Sequence, residues 1–383
     1  MRILHLVSDE KFIPFVDEIF CRVSGVVNTY LVIVADATQP LKYLQPLQSK
    51  FVADKHTLDS IRPEDVSHDA IIIHYLDPLK IRVVRNLRTR APIVWSGWGG
   101  DYYESFSALN KDIFGQNTKL LQDQLISSQS LLSRFRGKLS KLLYQHWHEA
   151  SIIRFMKRID YFSAPIPEDY ERICDHLQLR AKYQQINYAS LEMTFDQGPS
   201  MTTGTDILIG NSASASNNHL EVFDLLKRCD IGTRNVIVPL SYGSAAYRNA
   251  IVQVGIPAFG EHFVPLVDFM PLEQYNTLIS NCSIVIMGHK RQQAVGNIAT
   301  MLYKGAKVFL EECTTTFQFL RSRGAHVYSL SDLAQPTDGL LDPLGHAEQM
   351  QNAEVIRDFW NDARVQDNAT QLVTRLRSHQ ARH

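Results

Sequence analysis

Short runs of almost wholly apolar, β-branched or aromatic residues recur along this chain, and longer amphipathic stretches separate most of them. In the first half they lie at 3–7, 30–35, 70–74, 92–95 and 160–163. In the second they lie at 206–210, 235–239, 262–266, 283–287, 307–310 and 326–328. A strand with one wet face alternates apolar and polar residues, whereas a strand covered by helices on both faces is apolar throughout. The pattern therefore predicts an α/β fold with parallel sheets. Helical periodicity between the later runs, at 218–228, 244–254, 272–280 and 294–303, fits the same reading.

At 383 residues the chain exceeds the roughly 100–200 residues of a single domain. The stretch Met193–Thr205, MTFDQGPSMTTGT, mixes Gly, Pro, Ser and Thr without periodicity and reads as a linker. The expected organisation is one Rossmann-like domain over 1–195 and a second over 206–345. Polar helices over 346–383 are expected to pack back on the body through Val355, Ile356, Phe359 and Trp360. Two such domains in tandem imply a central cleft faced by their sheets.

Hydrophobic residues at 45% and charged residues at 21% are ordinary for a globular protein. A net charge of −1 argues against a nucleic-acid partner held by bulk charge. Five scattered cysteines, Cys21, Cys174, Cys229, Cys282 and Cys313, form no CxxC pair and read as reduced thiols of a cytoplasmic protein. No apolar run approaches the ~18 residues of a spanning helix, and no signal-peptide pattern opens the chain.

The familiar nucleotide and hydrolase motifs are missing. No G-x-x-x-x-G-K-[ST], G-x-S-x-G, H-E-x-x-H or D-x-D occurs, and Gly97-Trp-Gly-Gly-Asp101 lacks the third glycine of a dinucleotide fingerprint. His146 and His148 stand at i,i+2 in a helical-looking stretch and so do not face one metal. No metal site and no cofactor are expected.

What remains are polar runs at strand ends, where ligands of open α/β sheets sit. GHKRQQAVGN, 288–297, joins a buried strand to a helix. Lys290 and Arg291 offer charge, Gln292, Gln293 and Asn297 offer hydrogen bonds, and Gly296 allows close approach at a helix N-terminus. Such a set suits a diphosphate; it also suits a capped surface loop. At the end of the run 206–210, Gly210, Asn211 and Ser212 begin a loop of small and hydroxyl residues ending at Asn217 or Asn218, either a good N-cap. After the next, PLSYG presents Tyr242 for stacking or hydrogen bonding. Each is weak singly, and their clustering at three ends of one sheet is the stronger argument.

In the first half, WSGWGGDYYE, 95–104, combines aromatic faces for sugar with carboxylates. Trp98, Gly99, Tyr102 and Glu104 are the candidate acceptor contacts, and Asp101 is the candidate general base toward an acceptor hydroxyl. The competing reading is core packing with Asp101 as a cap. Residues 131–158 carry Arg134, Arg136, Lys138 and Lys141 beside apolar residues at helical spacing. That pattern fits an anionic membrane surface as well as a solvated helix face.

WSGWGGDYYE, ILIGNSASASNNHLE, VIVPLSYG followed by Tyr247, and RQQAVGN followed by YKGAKVFL occur in that order over roughly residues 90–310. As a set they resemble glycosyltransferase family 56. The resemblance implies a GT-B architecture, with donor held mainly by the second domain and acceptor by the first. It implies a TDP-sugar donor carrying an N-acetylfucosamine-like deoxyamino sugar, and an undecaprenyl-diphosphate-linked saccharide acceptor in bacterial surface polysaccharide assembly. It also implies no required metal and peripheral attachment to the cytoplasmic face of the inner membrane. The family's W-G-x-D run falls on Trp98 and Asp101, its G-N-S turn on Gly210, Asn211 and Ser212, and its R-Q-Q run on Arg291, Gln292 and Gln293. The Ala-Ser-rich loop 213–216 and residues 243–246 depart from it, which bears on the sugar or nucleotide accepted. A sugar-nucleotide epimerase and a non-catalytic glycan- or nucleotide-binding protein are the rival readings.

Overall fold

A computed structural model describes residues 1–62, 64–127, 149–194 and 201–380. The chain forms two compact units. The first takes the described residues within Met1–Asn110, Leu142–Asp196 and Phe359–His383, and the second those within Lys111–Lys141 and Gln197–Asp358.

The sheet of the first unit contains β1 (Arg2–Val7), β2 (Val27–Ile33), β3 (Lys50–Ala53), β4 (Ala70–His74), β5 (Ile93–Ser96), β6 (Tyr161–Ser163) and β7 (Lys182–Tyr183). All pairings are parallel, in the order β3-β2-β1-β4-β5-β6-β7. The apolar run of β4 is buried along its whole length, as a strand packed on both faces requires. The helix Pro78–Leu87 that follows is set by its sequence. Asp77 accepts hydrogen bonds from the amides of Leu79 and Lys80 at 2.8 and 3.0 Å, and Pro78 supplies a ready-made first-turn φ.

The second unit contains β8 (Asp206–Ile209), β9 (Val236–Pro239), β10 (Phe263–Leu266), β11 (Cys282–Met287), β12 (Lys307–Leu310) and β13 (Val327–Ser329). It is again parallel, in the order β10-β9-β8-β11-β12-β13. In each sheet the winding reverses once, between β1 and β4 and between β8 and β11. A crevice opens at the carboxyl end of such a switch point, because the flanking connections leave in opposite directions.

Two features depart from the expected boundaries. The helix Gln116–Ser127 belongs to the second unit. Thr118 donates through its amide and hydroxyl to the Glu221 carboxylate at 2.9 and 2.6 Å, and Asn117 donates to Asp224 at 2.7 Å. These anchors are polar, so apolar periodicity gives no sign of them. The C-terminal helices also divide between the units. His346–Trp360 lies in the second as far as Asp358, while Asp362–Gln380 lies in the first. Val365, Ala369, Leu372, Val373 and Leu376 of the latter are buried in one cluster with Ile3, Val16, Ile19 and Phe20. Their three- and four-residue spacing makes one face of the helix apolar.

Candidate active site

The loops after β8 and β11 meet at the switch point of the second sheet. Gly210 leaves β8 with φ +66°, and a Cβ there would come within 2.7 Å of Asn217 Oδ1 and 2.8 Å of His219 Nε2. Only glycine combines that φ with that closeness. The turn lets the Asn211 amide donate to Asn217 Oδ1 at 2.9 Å, while Asn217 Nδ2 donates to the Ser212 and Ser214 carbonyls at 3.0 and 3.1 Å. Asn218 donates to the Gly288 and Ile113 carbonyls at 2.7 and 3.1 Å and accepts from the Gly115 amide at 2.8 Å. The expected N-cap role of Asn217 and Asn218 is thus corrected. The helix His219–Leu226 has no side-chain cap, and both asparagine side chains staple backbone segments together instead.

From the other side, His289 Nε2 lies 2.9 Å from Asn217 Oδ1 and 3.3 Å from Asn211 Oδ1. Gln293 donates to Asn211 Oδ1 at 3.3 Å and accepts from the Ser216 hydroxyl at 2.7 Å. Two expected runs, 210–212 and 290–293, are therefore joined by side-chain hydrogen bonds. Arg291 and Gln292 are buried, and the Arg291 Nη1 donates to the Gln292 carbonyl at 2.9 Å. Burial holds the His289 imidazole neutral, well below its ordinary pKa, and the Arg291 charge adds to that effect. Burial likewise brings His219 down to about 3. Lys290 is half-buried and opposes the rise that burial imposes on the Glu311 carboxyl.

The helix Val295–Tyr303 begins at Ala294, which takes a left-handed φ of +56° and offers no side-chain cap. The first amides of any helix lack intrahelical acceptors and sit at the positive end of its dipole. Gly296 is exposed, and a Cβ added there would meet nothing within 4 Å, so the space over the first turn is open. Asn297 is half-buried beside it. Fixed cation, open helix end and hydrogen-bonding amides are the components of an anion site.

Tyr242 stands apart from this cluster as a 78% exposed ring, yet its backbone is tied in. The Ala213 amide donates to the Tyr242 carbonyl at 2.6 Å and the Ser244 amide to the Ala213 carbonyl at 2.9 Å.

The aromatic run of the first unit divides between wall and core. Trp98 is half-buried and packs against Tyr188, Phe12 and Tyr75 with ring centroids 5.1, 6.0 and 6.3 Å apart. Gly99, at φ +98°, makes the turn into the short helix Gly100–Tyr103, and Glu104 at its end is exposed. Tyr102 does not face a ligand. It is fully buried and donates to Asp169 at 2.6 Å, so its expected acceptor contact is corrected to a core hydrogen bond. Asp101 is also fully buried. Its Oδ2 accepts from Trp95 Nε1 at 2.7 Å and the Leu76 amide at 2.9 Å, and its Oδ1 from the Trp98 amide at 2.8 Å. Burial raises its carboxyl above the ordinary range against the pull of those donors. A carboxylate whose oxygens are engaged in this way positions the 97–101 turn; it presents no face to an acceptor hydroxyl.

Sequence reasoning missed Phe12, Tyr75 and Tyr188, which complete the Trp98 wall, because each stands alone in its own loop. It missed Asn217, Asn218 and His289 as staples because polar residues in a turn look the same whether they face solvent or backbone. Arg134, Arg136, Lys138 and Lys141, with His146 and His148, lie outside the described residues. Among the described residues no group of three or more His, Cys, Asp or Glu is placed to hold a metal ion, and no helix is long and apolar enough to cross a membrane.

The whole fold has solved counterparts. Sucrose-phosphate synthase from Thermosynechococcus elongatus superposes with a TM-score of 0.64 at 10% identity, covering 99% of this chain and 100% of that one. A lipopolysaccharide outer core galactosyltransferase gives 0.57 at 9% identity, over 98% and 99%. A UDP-N-acetylglucosamine 2-epimerase gives 0.57 at 11% identity, over 100% and 97%. With its two parallel-sheet units, the chain has the GT-B fold, and its second sheet lies within a segment that matches the model of a glycosyltransferase family. That family is described as 4-alpha-L-fucosyltransferase glycosyl transferase group 56, and its model matches residues 168–330.

Proposed function

We propose that this glycosyltransferase moves a deoxyamino sugar of the N-acetylfucosamine type from a TDP-linked donor to an undecaprenyl-diphosphate-linked saccharide, without a required metal, at the cytoplasmic face of a bacterial inner membrane. The observation that carries the donor side is the convergence of loops 210–218 and 288–294 on the second sheet's switch point, beside an uncapped helix end and the buried Arg291. In the transfer, an acceptor oxygen bonds to the anomeric carbon as the bond from that carbon to the diphosphate oxygen breaks. The electron pair leaves on the diphosphate, and the proton of the acceptor hydroxyl passes to the departing diphosphate oxygen. Lys290, Arg291 and the first amides of Val295–Tyr303 stabilise the charge that develops there, the type of interaction that dominates such catalysis. Asn211, Gln293 and Asn297 orient donor oxygens, and the small Gly210–Ser212 turn and Gly296 admit the phosphates closely.

On the acceptor side, Trp98 and its aromatic neighbours offer a face for sugar C–H surface, with Glu104 as the exposed carboxylate of the run. Asp101 acts through the turn that carries Trp98. The cations Arg134, Arg136, Lys138 and Lys141 supply charge for anionic lipid. The test is product analysis with TDP-sugar and lipid-linked acceptor in EDTA, using wild type and Arg291→Lys. The expected result is a glycosylated lipid, with turnover at least about 100-fold lower in the variant. Conversion of donor alone to an epimer, or equal turnover by both proteins, removes the reading.

A further inference from the structure

Of the large apolar side chains described, the two most exposed are Tyr242 at 78% and Phe269 at 76%. They occupy neighbouring positions in the fold. β9 and β10 pair in parallel with Pro239 beside Leu266, so Tyr242 and Phe269 each stand three residues past the carboxyl end of adjacent strands. Single exposed apolar residues are commonplace. Two exposed rings on adjoining loops, on the edge that carries the proposed donor site, are a different case.

We propose that Tyr242 and Phe269 form the seat of the donor nucleobase, an aromatic platform beside the diphosphate loops; this deepens the donor-site reading above and rests on it. Adjacent strands are spaced about 4.8 Å apart. The loops after β9 and β10 therefore lie about 5 and about 10 Å along the edge from the Gly210 turn that follows β8. A nucleotide whose diphosphate occupies the switch point projects its base, through one ribose, along that edge in one of two directions. Toward β12 the edge presents Glu311 and Glu312, with no aromatic residue through Thr316. Toward β10 it presents two ring faces, which bind a base by stacking whatever its hydrogen-bonding pattern.

The rings stand on anchored backbone. The Ala213 amide holds the Tyr242 carbonyl at 2.6 Å, so the ring is carried by the segment that follows Asn211 and Ser212. The Leu240 amide donates to the Leu266 carbonyl at 2.8 Å, and Arg248 Nη1 to the Val267 carbonyl at 3.4 Å. Backbone held in this way loses little entropy when a ligand arrives.

The experiment is calorimetric titration of TDP and, separately, of inorganic pyrophosphate into the full chain: wild type, Tyr242→Ala, Phe269→Ala and Phe269→Trp. Each alanine variant is expected to weaken TDP by about 5- to 100-fold, the range a lost base stack gives. Pyrophosphate should stay within about 2-fold of wild type, and Phe269→Trp should retain TDP affinity. Because both rings are exposed, the variants are expected to fold, which their melting curves check. If wild type binds TDP and both alanine variants match it, or if TDP and pyrophosphate weaken alike, the nucleobase seat is wrong while the donor site stands. If wild type binds neither ligand, the donor reading fails and this inference with it.

Discussion

Replacing Asp101 by asparagine separates two roles for the most enclosed carboxylate of the first unit. In the wild type three donors converge on it: Trp95 Nε1 and the Leu76 amide on one oxygen, the Trp98 amide on the other. Asp101→Asn keeps the shape and one acceptor oxygen. If that oxygen keeps its two donors, the new NH2 is set against the Trp98 amide, donor facing donor. Losing a hydrogen bond to a charged acceptor costs about 1.5–3 kcal/mol, and an orphaned buried donor costs a further 1–3 kcal/mol. The expected loss is therefore about 3–5 kcal/mol, and Asp101→Ala, which orphans all three donors, should lose more. Urea unfolding followed by tryptophan emission reads the stability; transfer kinetics read the function. Activity should fall together with stability, mainly through KM for acceptor as the 97–101 turn that carries Trp98 shifts. TDP affinity should stay unchanged. Full stability with turnover abolished in Asp101→Asn would refute the positioning argument and restore a direct catalytic role.

Three further outcomes follow from the same geometry. Gly210→Ala places a Cβ within 2.7 Å of Asn217 Oδ1 at φ +66°, so it should destabilise the second unit by about 1–3 kcal/mol and weaken TDP at least about 10-fold by calorimetry. Asn218→Ala removes hydrogen bonds to Gly115, Ile113 and Gly288, and limited proteolysis should cut near Ile113–Gln116 well before wild type is cut. Acid should destabilise the fold through its buried histidines. Burial lowers His5 to about 4 and His219 to about 3. Below their ordinary value near 6.5 the unfolded chain binds protons that the folded chain refuses, so stability is flat above that pH and falls beneath it. At pH 5 each histidine should cost about 2 kcal/mol, and urea midpoints at pH 5 and pH 7.5 check this.

How much of this was legible in the sequence depended on which physical signal a residue carries. The central strands were plain, because β1, β4, β8 and β11 are buried on both faces over nearly their whole length and spell that burial in mostly apolar letters. The edges were not: in β3, Phe51 and Val52 are exposed, and β7 pairs over only two residues. The GHKRQQAVGN run pointed to the carboxyl end of a buried strand, where ligands of open α/β sheets sit, although a capped surface loop reads the same. What such a run conceals is direction. Arg291 and Gln292 are buried and Gly296 is exposed, in a loop that Gln293 ties to Asn211 and Ser216 some 80 positions earlier in the chain. WSGWGGDYYE misled for the same reason. Aromatic density fits a sugar-binding wall and a core equally, and only tertiary contacts assign Trp98 to the wall and Tyr102 to Asp169.

Hydrogen–deuterium exchange of the full chain, with and without saturating TDP, locates the ligand most directly. Protection should concentrate in 210–219 and 288–298, with a weaker effect over 240–244 and 267–271, and should persist in EDTA. Protection confined to the first unit, or ligand binding that leaves both switch-point loops exchanging as before, would contradict the assignment.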